Sequence, residues 1–141
     1  MKRTAKAFWQ GDLKIGHGTL TTRSHVLNET QYSFNTRFAD GIGTNPEELL
    51  AASHAGCFTM SIAYALSQQN FQPGDLNTTA TVSLDVTTGS LSLIELDLSA
   101  TAIEGLSPEA FQEIALQAKK NCVISKALAG LQIDLTVNYH Q

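Results

Sequence analysis

Residues 49–74 read LLAASHAGCFTMSIAYALSQQNFQPG, a run without a single Asp, Glu, Lys or Arg. Helices on a protein surface carry a polar stripe, whereas this one is apolar or small on every side as far as Leu66. Its start is written just upstream. Asn45 is a good N-cap, Pro46 suits the first turn, and Glu47 and Glu48 complement the helix dipole. Glu48 follows Asn45 by three, in the manner of a capping box. A charge-free helix of this length has two homes. One is a membrane, but Ser53, His54, Gly56, Thr59 and Ser61 dilute the apolarity, and no basic flank or aromatic belt accompanies it. The other is an enclosure of protein. One sheet in a domain of this size covers one side of a helix, so burial of the rest predicts an intimate homodimer.

Strand patterns flank this helix. Upstream, Ala5, Ala7 and Trp9 alternate with Lys6, Phe8 and Gln10, Gln10-Gly11-Asp12 turns the chain, and Gly16 to Thr22 pairs back. Arg23 to Gln31 reads as a loop. Tyr32, Phe34 and Phe38 then share the parity of a third strand, which sends Asn35 and Arg37 to its opposite face. Downstream, Ala80, Val82, Leu84 and Val86 alternate with Thr79, Thr81, Ser83, Asp85 and Thr87. After the turn Thr88-Gly89-Ser90, Leu91 and Leu93 begin a strand whose later apolar residues, Ile94, Leu96, Leu98 and Ala100, take the other parity. That flip predicts a β-bulge between Leu93 and Ile94. Ser107-Pro108-Glu109 opens a helix with Phe111, Ile114, Ala115 and Ala118 on its apolar stripe, ending at Lys119 and Lys120. Asn121 is placed to cap a short helix from Cys122 to about Ala129, closed by Gly130, and Ile133, Leu135, Val137 and Tyr139 alternate as the last strand. The fold class is α+β, with largely antiparallel sheets and a long central buried helix. With no repeat, low-complexity tract or dividing linker, residues 1–141 read as one domain.

Composition narrows the function. The chain has 141 residues, 43% hydrophobic and 16% charged, which excludes a wholly disordered protein. Lys and Arg number 9 against 13 Asp and Glu, a net charge of 9 − 13 = −4, so no positive field exists to hold nucleic acid. Two cysteines make no disulfide framework and suit a reducing compartment. The start, MKRTAKAFWQ, is basic but lacks the apolar stretch of a signal peptide, and the expected location is the cytoplasm.

Few residues offer chemistry. His17, His25, His54 and His140 match no zinc spacing, and no third ligand joins His54 and Cys57 to make a metal site. No GxSxG occurs for a nucleophilic serine, and Gly16-His17-Gly18 and Gly41-Ile42-Gly43 lack the rest of a phosphate loop. The thiols remain. Cys57 within its apolar helix reads as a small packed hydrophobe. Cys122 reads the same way, except that a helix N-terminus and the nearby Lys119 and Lys120 would depress its pKa. The residues alone therefore favour Cys122 as the more reactive thiol.

The segments FWQGDLKIGHGTLTT, LNETQYSFNTRF, GTNPEELLAASHAGCFTMSIAYAL and NCVISKAL add a family signal. Over nearly its whole length the chain resembles the family of osmotically inducible protein C and organic hydroperoxide resistance proteins, and FNTRF looks like the osmotically inducible protein C branch. One departure is that Val123 stands where the family commonly has Pro after its second cysteine. The resemblance implies a dimeric, cofactor-free, metal-free peroxidase that reduces organic hydroperoxides to alcohols. It implies Cys57 as the peroxidatic thiol and Cys122 as the resolving thiol. Arg37 and Glu47 would be the polar pair around the peroxidatic sulfur, and His54 is given no role. An external dithiol, a lipoyl protein among relatives, would restore the thiols.

Those roles are chemically coherent. A thiol in an apolar helix resists ionisation and needs a cation. A guanidinium ~4 Å away offers roughly 4 kcal/mol at an effective dielectric of ~20. Glu47 would hold the Arg37 fork by a bidentate pair. Two competing readings share the uncharged helix: a non-catalytic dimeric binder of apolar molecules, and a structural stress protein with inert thiols.

Overall fold

Alternation and turn chemistry set the first elements. In the computed structural model, which describes residues 1–140, β1 (Ala5–Gln10) pairs antiparallel with β2 (His17–Thr22), and β2 with β3 (Thr30–Tyr32). Gly18 lies opposite both Trp9 and Tyr32, whose ring centroids are 5.4 Å apart. A Cβ there would stand 2.4 Å from the Phe8 carbonyl oxygen, so only glycine fits. The chain divides into two compact units, Met1–Leu49 and Leu50–Gln141, and this sheet belongs to the first.

The third strand is shorter than its parity suggests. Phe34–Phe38 is a short helix, α1, and Arg37 therefore sits in a helical turn instead of on a sheet face. The cause is local. Ser33 Oγ accepts from the Thr36 N–H, and Thr36 Oγ1 accepts from the Ser33 N–H, a reciprocal capping box that commits the backbone to a helix.

The helix α2 (Pro46–Gln68) opens in the first unit and runs through the second. Asn45 Oδ1 accepts from the Glu48 N–H at 2.8 Å, the expected cap. By length and composition α2 would span a membrane, yet four of its side chains at four-residue spacing, His54, Phe58, Ile62 and Leu66, are buried in a protein core. Burial is confined to that stripe. The helix is not enclosed all round within one chain: Met60 and Tyr64 are exposed, because the core lies on one side only.

In the second unit, β4 (Leu76–Asp85), β5 (Ser90–Thr101) and β6 (Gln132–His140) form a sheet in that order. The β4–β5 pair is antiparallel, while β5 and β6 run parallel. α3 (Pro108–Asn121) and α4 (Val123–Ala127) lie between β5 and β6 in the chain, and a crossover of that length returns the chain in the same direction. Ser83 pairs with Leu93 but Leu84 with Leu91, so the bulge falls at Ser92, slightly before the position read from the parity flip. Ile94, Leu96 and Leu98 of β5 meet Phe58, Ile62 and Leu66 of α2 and Phe111, Ile114 and Ala118 of α3 in one core that also contains Cys122. Tyr139 closes its end, stacked on Phe111 at 4.3 Å and accepting from the Ile103 N–H.

Candidate active site

Four residues singled out from the sequence come together as two pairs. Cys57 and Cys122 pair within the second unit, and Arg37 and Glu47 within the first.

The thiol pair joins α2 to the α3–α4 junction. Cys122 is itself the N-cap of α4, with φ −56° and ψ 125°, so Asn121 is not the cap but the last residue of α3. That extended ψ is the conformation a following proline would enforce, and here it is reached with Val123 in its place. The Cys122 N–H still donates to the Ala118 carbonyl at 2.8 Å, while its own carbonyl accepts from Lys126. The two sulfurs are 3.0 Å apart, in hydrogen-bond contact and unbonded.

Exposure separates the two thiols. Cys122 has none, whereas Cys57 is half-buried and lines a cavity of about 740 Å³ with Met60, Ser61, Tyr64, Ala65 and Lys126. An oxidant entering that cavity meets Cys57, whichever thiol ionises more readily. Burial pushes the Cys57 thiol up, the neighbouring Cys122 adds to the rise, and the backbone N–H groups of Ile124 and Val123 offset only part of it. Burial also opposes ionisation of Cys122, but the Ser125 N–H, the Cys57 thiol and the Ser125 hydroxyl outweigh it and bring Cys122 below the ordinary thiol range. Of the two thiols, Cys122 is therefore the readier to ionise. This agrees with the electrostatic ranking read from the sequence, while access ranks the thiols the other way.

Sequence reasoning passed over a residue behind this pair. His54, one turn before Cys57, is wholly buried, and its Nε2 lies 2.8 Å from Ser125 Oγ. The signal was available: a histidine in an uncharged helix three residues before a cysteine, and a serine three residues after the other.

In the first unit, the Arg37 guanidinium grips Glu47 with two nitrogens. Nη2 donates to Oε1 at 2.8 Å, and Nε donates to Oε1 at 3.0 Å and to Oε2 at 3.2 Å. The start of α2 is moored to α1 by Asn45 Nδ2, which donates to the Thr36 carbonyl at 2.8 Å, and this brings Glu47 to Arg37. Gly43, at φ +130°, makes the bend possible, since a Cβ would meet the Gln31 carbonyl oxygen at 2.3 Å. Arg37 also lies over the Phe38 ring at 5.2 Å and borders a second cavity, about 300 Å³, walled by Trp9, Tyr32, Phe34 and Phe38.

Comparison with known proteins places this arrangement in context. Residues 39–138 match the family model described as OsmC-like protein. The chain is 40% identical over 138 residues to Peroxiredoxin OsmC of Escherichia coli (strain K12), covering 97% of this chain and 94% of that protein. It is 34% identical over 102 residues to an organic hydroperoxide resistance protein-like protein of Staphylococcus aureus (strain USA300), covering 71% and 73%. Among solved structures, the organic hydroperoxide resistance protein OhrB of Bacillus subtilis superposes with a TM-score of 0.66 at 27% identity, over 96% of this chain and 98% of that one.

Proposed function

The chain belongs to the OsmC-like protein family, and from that membership and its paired thiols we propose that it is a cysteine-based peroxidase that reduces organic hydroperoxides to alcohols. The observation that carries the reading is the 3.0 Å approach of the Cys57 and Cys122 sulfurs at the wall of a cavity that reaches only Cys57.

In this reading the Cys57 thiolate attacks the terminal oxygen of the hydroperoxide. An S–O bond forms, the O–O bond breaks, and the alkoxide leaves with a proton as the alcohol, giving a sulfenic acid. Cys122 then attacks the Cys57 sulfur; the S–S bond forms and the S–O bond breaks, releasing water. An external dithiol, of the lipoyl kind, supplies the two electrons that restore both thiols. Within its own unit Cys57 is biased toward the neutral thiol, so the mechanism needs a cation, and Arg37, oriented by Glu47, is the group assigned to it. The same guanidinium stabilises charge on the leaving oxygen. Two apolar cavities, one beside Cys57 and one beside Arg37, support a preference for alkyl or fatty-acid hydroperoxides over hydrogen peroxide. The exposed Met60 and Tyr64 on α2 support a homodimer.

Thiol titration tests the reading. One equivalent of cumene hydroperoxide should remove both thiols together as an intramolecular disulfide and yield one equivalent of cumyl alcohol. Persisting thiols and intact hydroperoxide would instead favour a non-catalytic binder of apolar molecules. Faster turnover with hydrogen peroxide than with cumene hydroperoxide would reject the apolar preference.

A further inference from the structure

The sulfur contact is not the only link between the two elements that carry the thiols. On α2, His54 stands three residues before Cys57; across from it, Ser125 stands three residues after Cys122, the N-cap of α4. His54 Nε2 lies 2.8 Å from Ser125 Oγ, and the two sulfurs lie 3.0 Å apart. Two rungs thus join α2 to the start of α4, one polar and one of sulfur, about one helical turn apart. His54 is wholly buried and Ser125 nearly so.

What the polar rung does follows from what else holds α4. The helix has five residues, and its N-cap makes no side-chain hydrogen bond. A helix so short has little stability of its own and keeps the place that its contacts give it. Ile124 and Leu128 pack against the core, but apolar contact is non-directional and lets a segment slide. A hydrogen bond weakens steeply as it lengthens or bends. Among the described residues, the His54–Ser125 bond is the one side-chain hydrogen bond from α4 to another element. The ring has no second option either. Its Nδ1 is buried with no partner among the described residues, so leaving Ser125 would strand both ring nitrogens in the core.

We infer that His54 and Ser125 are positioning residues for the thiol pair: their bond fixes the place of α4 along α2 at which the Cys122 sulfur meets Cys57. The inference rests on the reading of the two cysteines as a redox pair. It concerns resolution, in which the Cys122 sulfur bonds to the Cys57 sulfur, the S–O bond breaks, and hydroxide leaves with the Cys122 proton as water. Neither His54 nor Ser125 exchanges a proton in that step. Their bond keeps the sulfurs together before the S–S bond exists, so little freedom is lost when it forms.

The test equilibrates the full-length protein with mixtures of reduced and oxidised dithiothreitol and counts the remaining thiols after acid quenching. The Cys57–Cys122 disulfide forms as the dithiothreitol S–S bond breaks, two electrons and two protons passing from protein to reagent. Ser125→Ala and His54→Leu should each lower the equilibrium constant for disulfide formation about fivefold, the size of one hydrogen bond. The double variant should lower it no further, because both changes remove the same bond. His54→Gln, whose amide can donate or accept at Ser125 Oγ, should restore the parent value. Thr59→Val removes a different hydrogen bond of α2, to Thr78 Oγ1, and should leave the constant unchanged. Unchanged constants in Ser125→Ala and His54→Leu, no rescue by Gln, additive losses in the double variant or an equal loss in Thr59→Val would overturn the inference. Should the variants fail to fold, crystal structures of the unaltered protein in both redox forms decide the matter. His54 Nε2 and Ser125 Oγ are expected within hydrogen-bond distance in each, and their separation in the oxidised form would overturn it. No peroxide enters these measurements, so a protein that left hydroperoxide intact would defeat the proposed activity without touching this result.

Discussion

Arg37 and Glu47 meet at the surface of the first unit, where their side chains are 42% and 14% exposed, whereas Cys57 meets Cys122 over a hydrophobic core that leaves Cys122 no exposure. The contrast separates what holds the protein together from what the site does. An ion pair in contact with water contributes about 0–1 kcal/mol to stability. Three hydrogen bonds from two nitrogens onto one carboxylate are therefore better explained by the orientation they give the guanidinium. The thiols, in turn, owe their closeness to packing: α2, α3 and β5 share the core that presses Cys122 toward Cys57.

Substitutions at the two pairs can break or sharpen this contrast. The largest effect is expected from Cys57→Ser, which should reduce hydroperoxide consumption to the uncatalysed background while the far-ultraviolet circular dichroism stays unchanged. Next, Cys122→Ser should consume one equivalent of hydroperoxide per site and then stall, as read by stopped-flow and mass spectrometry; undiminished steady-state turnover would remove its resolving role. Arg37→Met should lower turnover by roughly 10–100-fold, as expected when one fixed charge is lost, yet shift the urea midpoint by no more than about 1 kcal/mol. A large stability loss with intact turnover would reverse the division of labour between the pairs. The smallest effect concerns pH. His54 titrates below its ordinary 6.5 in the folded chain, so under mildly acidic conditions the unfolded chain binds a proton that the native ring refuses. Stability present above pH 6.5 is thus lost as the pH falls toward the native pKa. The urea midpoint should decline more steeply in the parent than in His54→Gln.

How far the sequence could be read follows the same divide. The cap at Asn45, the uncharged stretch of α2 and the alternation of β4, β5 and β6 are signals of period and composition, and each was legible. Phe34 and Phe38 were ambiguous for a geometric reason. A spacing of four is both even and close to one helical turn, so strand and helix alike put the two rings on one face. Only the Ser33–Thr36 reciprocal cap breaks the tie. The parallel course of β6 was hidden because period-two patterning is blind to strand direction. The line from His54 to Ser125 crosses 71 positions, and no local pattern can announce a contact of that span.

The α3–α4 junction has a consequence for the pace of the proposed redox cycle. A disulfide needs its sulfurs about 2.05 Å apart, and these already stand at 3.0 Å. The remaining travel is about 1 Å, within reach of small side-chain rotations, so neither helix must unwind. Oxidised and reduced forms should accordingly share one backbone, and a crystal grown of either should survive conversion to the other.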